Sequence, residues 1–348
     1  MDNDWTKWLA VDDETADLVK SIDSGFEKAK RYKQEINHPF EKNERYNKMA
    51  EELMGLEDKA KNAASGIGLV LCGGGAKGSY QVGALKAFSE ANIEFSAYSG
   101  ASVGGLNAAL MGAGGVALAE QMWDGLNESL LSVKDIVSPD LTNDIELEMH
   151  IKNSGILEKL TLDSPLTSVT VFDKETAYPE DAILNTKSAE NKLKWLMATA
   201  AFPIAFEQQV IDGEIYLDGG IPIFGNNMPV APLYYMGLRR MVIIHLASKK
   251  ESNVNLEFFN NYENRELYFN GLKAIHIYPS EDLGELFDGT MNFNREYLDR
   301  IETLGYEDAK KAISYISELD NEIAEDTEMH LVDGKKYESY YTVLRGLK

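Results

Sequence analysis

The chain has 348 residues, a hydrophobic fraction of 44% and a formal net charge of −23 at pH 7. Its length allows one large α/β domain with extensions, or two domains. The acidic balance argues against nucleic acid as a partner and against long-range attraction to an anionic membrane surface. The single cysteine, Cys72, excludes an intrachain disulfide and is expected to be a small buried side chain.

The N-terminal segment shows no targeting signal, because it lacks the basic region and the apolar core of a signal peptide. No apolar run reaches the length of a membrane span. We therefore expect a cytoplasmic protein without a transmembrane segment, for which peripheral membrane contact is possible and a protein partner is unknown. Residues 1–65 predict a helical arm, in which Leu18, Ile22 and Phe26 repeat on one face.

Two strand–turn–helix units follow within residues 66–109. In the first, the apolar run of residues 67–71 leads into a glycine loop, Gly73-Gly74-Gly75-Ala76-Lys77-Gly78, and then into a helix. In the second, residues 95–98 lead into Gly100-Ala101-Ser102-Val103-Gly104 and a run of small and apolar residues. Both turns are therefore expected at the carboxyl edge of a sheet, where open α/β folds bind their ligands.

The second turn fits a nucleophile elbow, in which the serine of G-x-S-x-G projects from a tight turn between a strand and a helix. Ser102 is the candidate nucleophile. Gly100 and Gly104 would be needed because a Cβ there would meet the neighbouring strand and helix. The amide of Val103 could then point at an oxyanion.

The glycine loop has more than one interpretation. Gly73, Gly75 and Gly78 satisfy the dinucleotide pattern G-x-G-x-x-G, but no acidic residue ends the next strand to bind a ribose. The order Lys77-Gly78-Ser79 also misses the P-loop pattern. Such a loop can instead supply backbone donors to an anion, and beside a serine elbow it would form an oxyanion hole. A turn made only for close packing is the simpler alternative.

The rest of the chain alternates strands and helices, which predicts a mostly parallel wound sheet. Strands are expected at residues 166–172, 241–246 and 274–278, and a hairpin with a glycine turn at residues 210–217. Helices are expected at residues 120–131, 193–201 and 295–321. The polar tail from residue 326 to 348 has no predicted structure.

A base is needed beside a serine nucleophile. His38, His150 and His330 lie in polar segments without a motif, and His245 and His276 lie in apolar strands typical of core residues. Asp218 follows the hairpin and precedes Gly219 and Gly220, which allow close backbone approach. Its ordinary pKa of about 3.9 makes it a weak base unless burial raises the value. A simple turn remains the alternative for this tripeptide.

Together these residues resemble the patatin-like family of lipid acyl hydrolases, which has a glycine-rich oxyanion loop, a G-x-S-x-G serine and a D-G-G aspartate in this order. The similarity continues in other segments: Ala198-Thr199-Ala200-Ala201-Phe202-Pro203 with Phe206, Asn227-Met228-Pro229-Val230, Ile277-Tyr278-Pro279-Ser280 with Leu283-Gly284, and Gly305-Tyr306-Glu307-Asp308-Ala309. The resemblance spans residues 66 to 314. Two departures are Lys77, where the family often has arginine, and a longer stretch between Asp218 and Pro229.

The resemblance implies a three-layer α/β/α fold with a mostly parallel sheet, occupying residues 66–318 between a helical N-terminal arm (1–65) and a C-terminal tail (319–348). It implies a catalytic dyad of Ser102 and Asp218 without histidine, metal or cofactor. Its implied oxyanion hole comprises Gly73, Gly74, Gly75 and Val103, in which the amides of Gly74, Gly75 and Val103 would donate and Gly73, with Gly78, would shape the loop. Its motif glycines are Gly78, Gly100, Gly104, Gly219 and Gly220.

The implied activity is hydrolysis of a carboxylic ester of a lipid, such as a phospholipid or lysophospholipid, through an acyl-serine intermediate. Acyl transfer to an acceptor other than water is an alternative with the same chemistry. A non-catalytic protein that binds a lipid or a partner is an alternative from another class, and its sign would be loss of the serine or the aspartate. Both residues are present.

Overall fold

A computed structural model describes residues 48–126, 144–176, 178–203, 205–221, 225–248, 271–319 and 327–337. Most of the predicted N-terminal arm, including Leu18, Ile22 and Phe26, lies outside these ranges, as does His38. The predicted continuation of a helix through residue 131 also falls partly outside them.

Within the described residues, ten strands form one sheet. They are β1 (Gly68–Leu71), β2 (Ala97–Ala101), β3 (Leu166–Asp173), β4 (Tyr178–Ile183), β5 (Gln209–Ile211), β6 (Glu214–Asp218), β7 (Arg240–Ile244), β8 (Lys273–Tyr278), β9 (Thr327–Val332) and β10 (Lys335–Tyr337). Their order is β10-β9-β8-β7-β1-β2-β3-β6-β5, with β4 also paired to β3. The six neighbouring strands β9, β8, β7, β1, β2 and β3 pair in parallel. The other pairs are antiparallel.

Helices cover both faces of this sheet. They are α1 (Glu57–Ala63), α2 (Gly78–Glu90), α3 (Val103–Asp124), α4 (Asp144–Ser154), α5 (Ile156–Lys159), α6 (Ala189–Thr199), α7 (Val230–Tyr235) and α8 (Arg295–Glu318). Short helical turns lie at Gly75–Lys77, Leu184–Thr186 and Leu286–Thr290.

Alternation along the strands divides the core into two layers, because successive side chains of a strand point to opposite faces. Leu69 and Leu71 of β1 pack into a larger core that contains residues of α2, α3, α6 and α8. Val70 and Cys72 pack into a smaller core with residues of α1 and α7. The predicted three-layer α/β/α architecture with a mostly parallel sheet is thus confirmed.

Helix α3 is the one described helix that is long and apolar enough to cross a membrane, with a mean hydropathy of 1.2 in its apolar window. However, 61% of that window is buried inside the fold, where the helix contacts β1, β2 and β3. The helix is also broken at Gly115, whose φ of 70° and ψ of −162° are not helical. Its apolar composition is therefore explained by its position in the core.

The sequence predicts the hairpin correctly but leaves the tail without structure. β5 and β6 are joined by Asp212 and Gly213, both at positive φ (54° and 95°), which matches the twist of a two-residue hairpin. In the tail, residues 327–337 form β9 and β10 and extend the sheet beside β8. His330 is therefore buried, contrary to its predicted place in a polar segment.

Candidate active site

The strand register brings the elbow and the aspartate to one point on the edge of β3. Strand β4 pairs with residues 168–173 of β3, so β2 and β6 share the opposite edge of that strand. Ala101, the last residue of β2, pairs with Thr170, and Asp218, the last residue of β6, pairs with Val171. Because Ser102 follows Ala101 directly, it arrives beside Asp218.

Ser102 sits in a strained backbone conformation at the start of α3, with φ 55° and ψ −133°. Among the described non-glycine residues at positive φ, the others are Asn or Asp, which tolerate this region better. A Cβ at Gly100 would lie 2.1 Å from the carbonyl oxygen of Gly104, and a Cβ at Gly104 would lie 2.1 Å from that of Leu71. The elbow therefore requires both glycines that the sequence places there.

The hydroxyl of Ser102 donates a hydrogen bond to Asp218, with 2.6 Å between Oγ and Oδ2. Asp218 is only 2% exposed, and its Oδ1 accepts the N–H of Gly220 at 2.7 Å. Burial raises the pKa of Asp218 to about 7, because it disfavours the charged carboxylate, and the hydrogen bonds from Ser102 and Gly220 offset only part of this effect.

Close packing explains the first glycine after the aspartate, Gly219. A Cβ at Gly219 would lie 2.0 Å from the carbonyl oxygen of Thr170, so the turn presses against β3. The long stretch after Asp218 folds back on itself, because the N–H of Gly225 donates to the carbonyl of Ile221 at 2.9 Å. Residues 222–224 of this departure lie outside the described residues.

The glycine loop lies directly against the elbow. A Cβ at Gly73 would be 2.8 Å from the Cβ of Ser102, and a Cβ at Gly78 would be 2.5 Å from Cγ2 of Val103. Gly73 fits a loop-shaping role rather than that of an oxyanion donor, because its N–H already donates to Oδ1 of Asn227 at 2.8 Å. It anchors the loop instead.

The predicted donors lie where backbone N–H groups have no partner within their own helix. Gly74 immediately precedes the short helical turn Gly75–Lys77, Gly75 is its first residue, and Val103 is the first residue of α3. Gly75 has φ 57°, and a Cβ on it would lie 2.2 Å from the carbonyl oxygen of Thr290. These amides lie on two segments that contact each other beside Ser102.

A buried network of side-chain amides, which belongs to none of the sequence motifs, holds the glycine loop. Gln81 donates to the carbonyl of Cys72 at 2.7 Å, and Asn107 donates to the carbonyl of Gly78 at 3.1 Å and to Gln81 at 2.9 Å. The indole of Trp123 donates to Asn107 at 2.7 Å. Both ends of the loop are therefore fixed by α2 and α3, and no local sequence signal marks these contacts.

The histidines of β7, β8 and β9 form a separate buried cluster. Nε2 of His245 lies 2.9 Å from Nδ1 of His276. The ring of His276 also stacks on the ring of His330, with the ring centres 4.2 Å apart. Burial, with a smaller effect of His330, lowers the pKa of His245 to about 3. His245 and His276 are core residues as predicted, and in the part of the chain that the structure describes the partner of the Ser102 hydroxyl is Asp218.

The fold and site thus define an α/β protein with a serine elbow, a buried aspartate and a glycine loop at one edge of its sheet. Residues 69–234, which include all three, match the family model for patatin-like phospholipase. The chain therefore contains a patatin-like phospholipase domain, which is similar to lipid hydrolases.

Solved structures with detectable similarity include two bacterial proteins. The chain is similar to VipD from Legionella pneumophila at 16% identity and a TM-score of 0.41, over 72% of this chain and 67% of VipD. It is similar to the type III effector ExoU at 15% identity and a TM-score of 0.39, over 74% of this chain and 54% of ExoU. It is also similar to the heterodimeric complex ExoU–SpcU from the type III secretion system of Pseudomonas aeruginosa, at 16% identity, a TM-score of 0.36 and coverages of 72% and 52%.

The chain therefore spans about two thirds of VipD and about half of ExoU. No curated protein sequence matches the chain significantly.

Proposed function

We propose that the protein is a serine acyl hydrolase that cleaves carboxylic ester bonds of a phospholipid or lysophospholipid with a Ser102–Asp218 dyad. The observation that carries this proposal is the 2.6 Å hydrogen bond from the Ser102 hydroxyl to the buried carboxylate of Asp218. The strained backbone at Ser102 and the adjoining glycine loop support it. The match of residues 69–234 to the patatin-like phospholipase family model supports a lipid ester as the substrate.

In the proposed first step, Oγ of Ser102 attacks the ester carbonyl carbon while its proton passes to Oδ2 of Asp218. The carbonyl oxygen becomes an oxyanion, which the amides of Gly74, Gly75 and Val103 would stabilise by hydrogen bonding. Asp218 is then neutral, a form that its buried surroundings favour.

The tetrahedral intermediate then collapses and breaks the bond to the leaving alcohol. The proton held by Asp218 passes to the alkoxide, so that the alcohol leaves neutral and the acyl group stays on Ser102. Asp218, ionised again, next takes a proton from a water molecule that attacks the acyl-serine. The reverse proton transfer to Oγ of Ser102 releases the fatty acid and restores the enzyme.

The carboxylate of Asp218 fits the role of general base because its pKa is close to neutral. A general base works best when its pKa lies near the operating pH, and burial brings that of Asp218 to about 7. The scheme requires neither histidine nor a metal or cofactor. A cytoplasmic location remains a prediction from the sequence.

The test is hydrolysis of a short-chain nitrophenyl ester and of a lysophospholipid by wild type, Ser102→Ala, Asp218→Ala and the double variant. Residues that act as one unit have non-additive effects, so each single variant should lose activity and the double variant should be no worse. Product analysis in the presence of an alcohol acceptor distinguishes hydrolysis from acyl transfer. Retained activity in folded Ser102→Ala, or an equal loss in a folded His150→Ala variant, would overturn the dyad.

A further inference from the structure

The hydroxyl of Thr199 lies between the two halves of the candidate site. Thr199 is the last residue of α6 and is fully buried. Its Oγ1 accepts the backbone N–H of Ser102 at 3.0 Å and donates to the carbonyl of Thr170 on β3 at 2.6 Å. A hydroxyl has one proton to donate and lone pairs to accept, so this one side chain satisfies both groups and ties the elbow to β3.

The end of α6 also holds the segment that carries the base. The carbonyl of Thr199 accepts the N–H of Gly219 at 3.4 Å, and the carbonyl of Ala201 accepts the N–H of Asp218 at 3.1 Å. The same short segment therefore contacts the backbone of the nucleophile through a side chain and the backbone of the base through two carbonyls. A shift of this segment would change the distance between the two catalytic groups.

The position of Ser102 depends on such contacts because its backbone is strained. A non-glycine residue at φ 55° and ψ −133° persists only where surrounding interactions fix it. A methyl group in place of the Thr199 hydroxyl would leave the partly buried N–H of Ser102 without this acceptor. The elbow would then relax toward a backbone conformation in which the hydroxyl of Ser102 no longer meets Asp218.

We propose that Thr199 is a positioning residue for the Ser102–Asp218 pair, acting through its hydroxyl on the backbone of the nucleophile. The inference rests on the proposed function, and it adds a residue that touches neither the ester nor the transferred proton. Misplacement of a reacting group by about 1 Å costs about 100-fold in rate. We therefore expect a loss of this order when the hydroxyl is removed.

Two matched pairs of proteins isolate the hydroxyl. Thr199→Val keeps the shape of the wild-type side chain and removes the hydroxyl. Thr199→Ser and Thr199→Ala both lack Cγ2 and differ only in the hydroxyl, so their comparison remains decisive if the valine variant does not fold. The control is Thr167→Val, because Thr167 is also buried in β3 and its hydroxyl donates to a backbone carbonyl, that of Pro165, at 3.1 Å.

The readouts are kcat and KM on the nitrophenyl ester and the rate at which a fluorophosphonate probe labels Ser102, both measured well below each variant's Tm. We expect Thr199→Val and Thr199→Ala to lower kcat and the labelling rate about 100-fold, with KM much less affected. Thr199→Ser should restore most of the rate, and Thr167→Val should lower Tm without changing either rate.

The outcomes separate this inference from the proposed function. Normal labelling of Ser102 in wild type and in the hydroxyl-free variants alike would overturn the role of Thr199 and leave the dyad intact. Equal losses in Thr199→Ser and Thr199→Ala would show that the methyl group matters rather than the hydroxyl, which also overturns it. Absence of labelling and hydrolysis in the wild type would overturn the dyad, and the role of Thr199 with it.

Discussion

Asp218 is 2% exposed, and burial brings its pKa to about 7. In the proposed mechanism the free enzyme needs the carboxylate form, because a protonated Asp218 cannot accept the proton of Ser102. We therefore expect kcat/KM to be low at pH 5, to rise with pH and to be half-maximal near pH 7, since kcat/KM reports the pKa of the free enzyme's base. The measurement is the pH profile of ester hydrolysis with a substrate that does not itself ionise in this range.

Stability at each pH serves as the control, so that unfolding is not mistaken for titration. A profile that stays flat down to pH 5 in folded protein would contradict either the raised pKa or the role of Asp218 as the base.

The same burial implies that Asp218 lowers stability when it is charged. Its pKa is higher in the folded protein (about 7) than its ordinary value of 3.8, so between these values the folded state binds more protons than the unfolded chain. By linkage, the contribution of Asp218 to stability falls as pH rises through that window. Asp218→Asn removes the charge and should therefore stabilise the protein more at pH 8 than at pH 5, by about 2 kcal/mol.

Denaturant unfolding of both proteins at the two pH values measures this difference. The matched control is Asp212→Asn, because Asp212 lies in the same hairpin, is exposed, and has a positive φ that Asn also tolerates. If Asp218→Asn and Asp212→Asn showed the same pH dependence, the burial of a charge at Asp218 would not be the cause.

At the scale of elements, the glycine loop between β1 and α2 is fixed by neighbours on several sides. Gly75 combines a φ of 57° with a carbonyl, that of Thr290, only 2.2 Å from where its Cβ would be. A side chain there would meet the turn Leu286–Thr290, so the loop and its amides would have to move. We expect Gly75→Ala to lower kcat by about 100-fold or more, the usual effect of losing an oxyanion donor.

Gly55→Ala is the control for this prediction, because Gly55 also has a positive φ (81°) but no atom within 4 Å of its Cβ position. It should show a comparable backbone strain with unchanged kcat. Equal kcat values for the two variants would mean that the loop does not hold the oxyanion.

The parts of this site that sequence can predict are those with a local signal. The elbow is marked by glycines on both sides of Ser102, and the aspartate by a hairpin and two following glycines. The roles of Thr199 and Asn227 are not predictable in this way, because each depends on a hydrogen bond to a residue far away in sequence: Ser102 for Thr199 and Gly73 for Asn227. The sequence places Gly73 in the oxyanion loop, but it does not show that the partner of its N–H is Asn227.

A strand near the edge of the sheet is likewise hard to predict from local sequence. β9 is a short strand that pairs directly with β8, although helix α8 separates the two strands in the sequence. Its sequence, Thr327-Glu328-Met329-His330-Leu331-Val332, contains too few apolar residues in a row to distinguish a strand from a polar tail. Its place becomes evident only when the partner strand is known.

At the scale of the whole molecule, the net charge of −23 must be reconciled with the proposed lipid substrate. Two large apolar side chains, Ile145 (64% exposed) and Met149 (50% exposed), lie one turn apart on α4. Asp144, Glu146 and Glu148 lie on the same helix. Burial of these apolar side chains in a lipid surface would strengthen binding. Repulsion between the acidic side chains and anionic head groups would weaken it.

We therefore expect weak binding to anionic vesicles at low salt and stronger binding as salt or a divalent cation is added. The physical reason is that like-charge repulsion is screened beyond about 10 Å at 0.1 M salt. Activity should accordingly be higher on monomeric or micellar esters than on anionic bilayers at low salt.

Co-sedimentation with vesicles across a salt series measures this dependence, and zwitterionic vesicles are the control, because their binding should change little with salt. Replacing Ile145 and Met149 with serine tests whether the apolar face contributes, since it should weaken binding to both kinds of vesicle. Strong binding to anionic vesicles at low salt that falls as salt is added would instead reveal a basic docking surface, which would contradict the repulsion expected from the net charge.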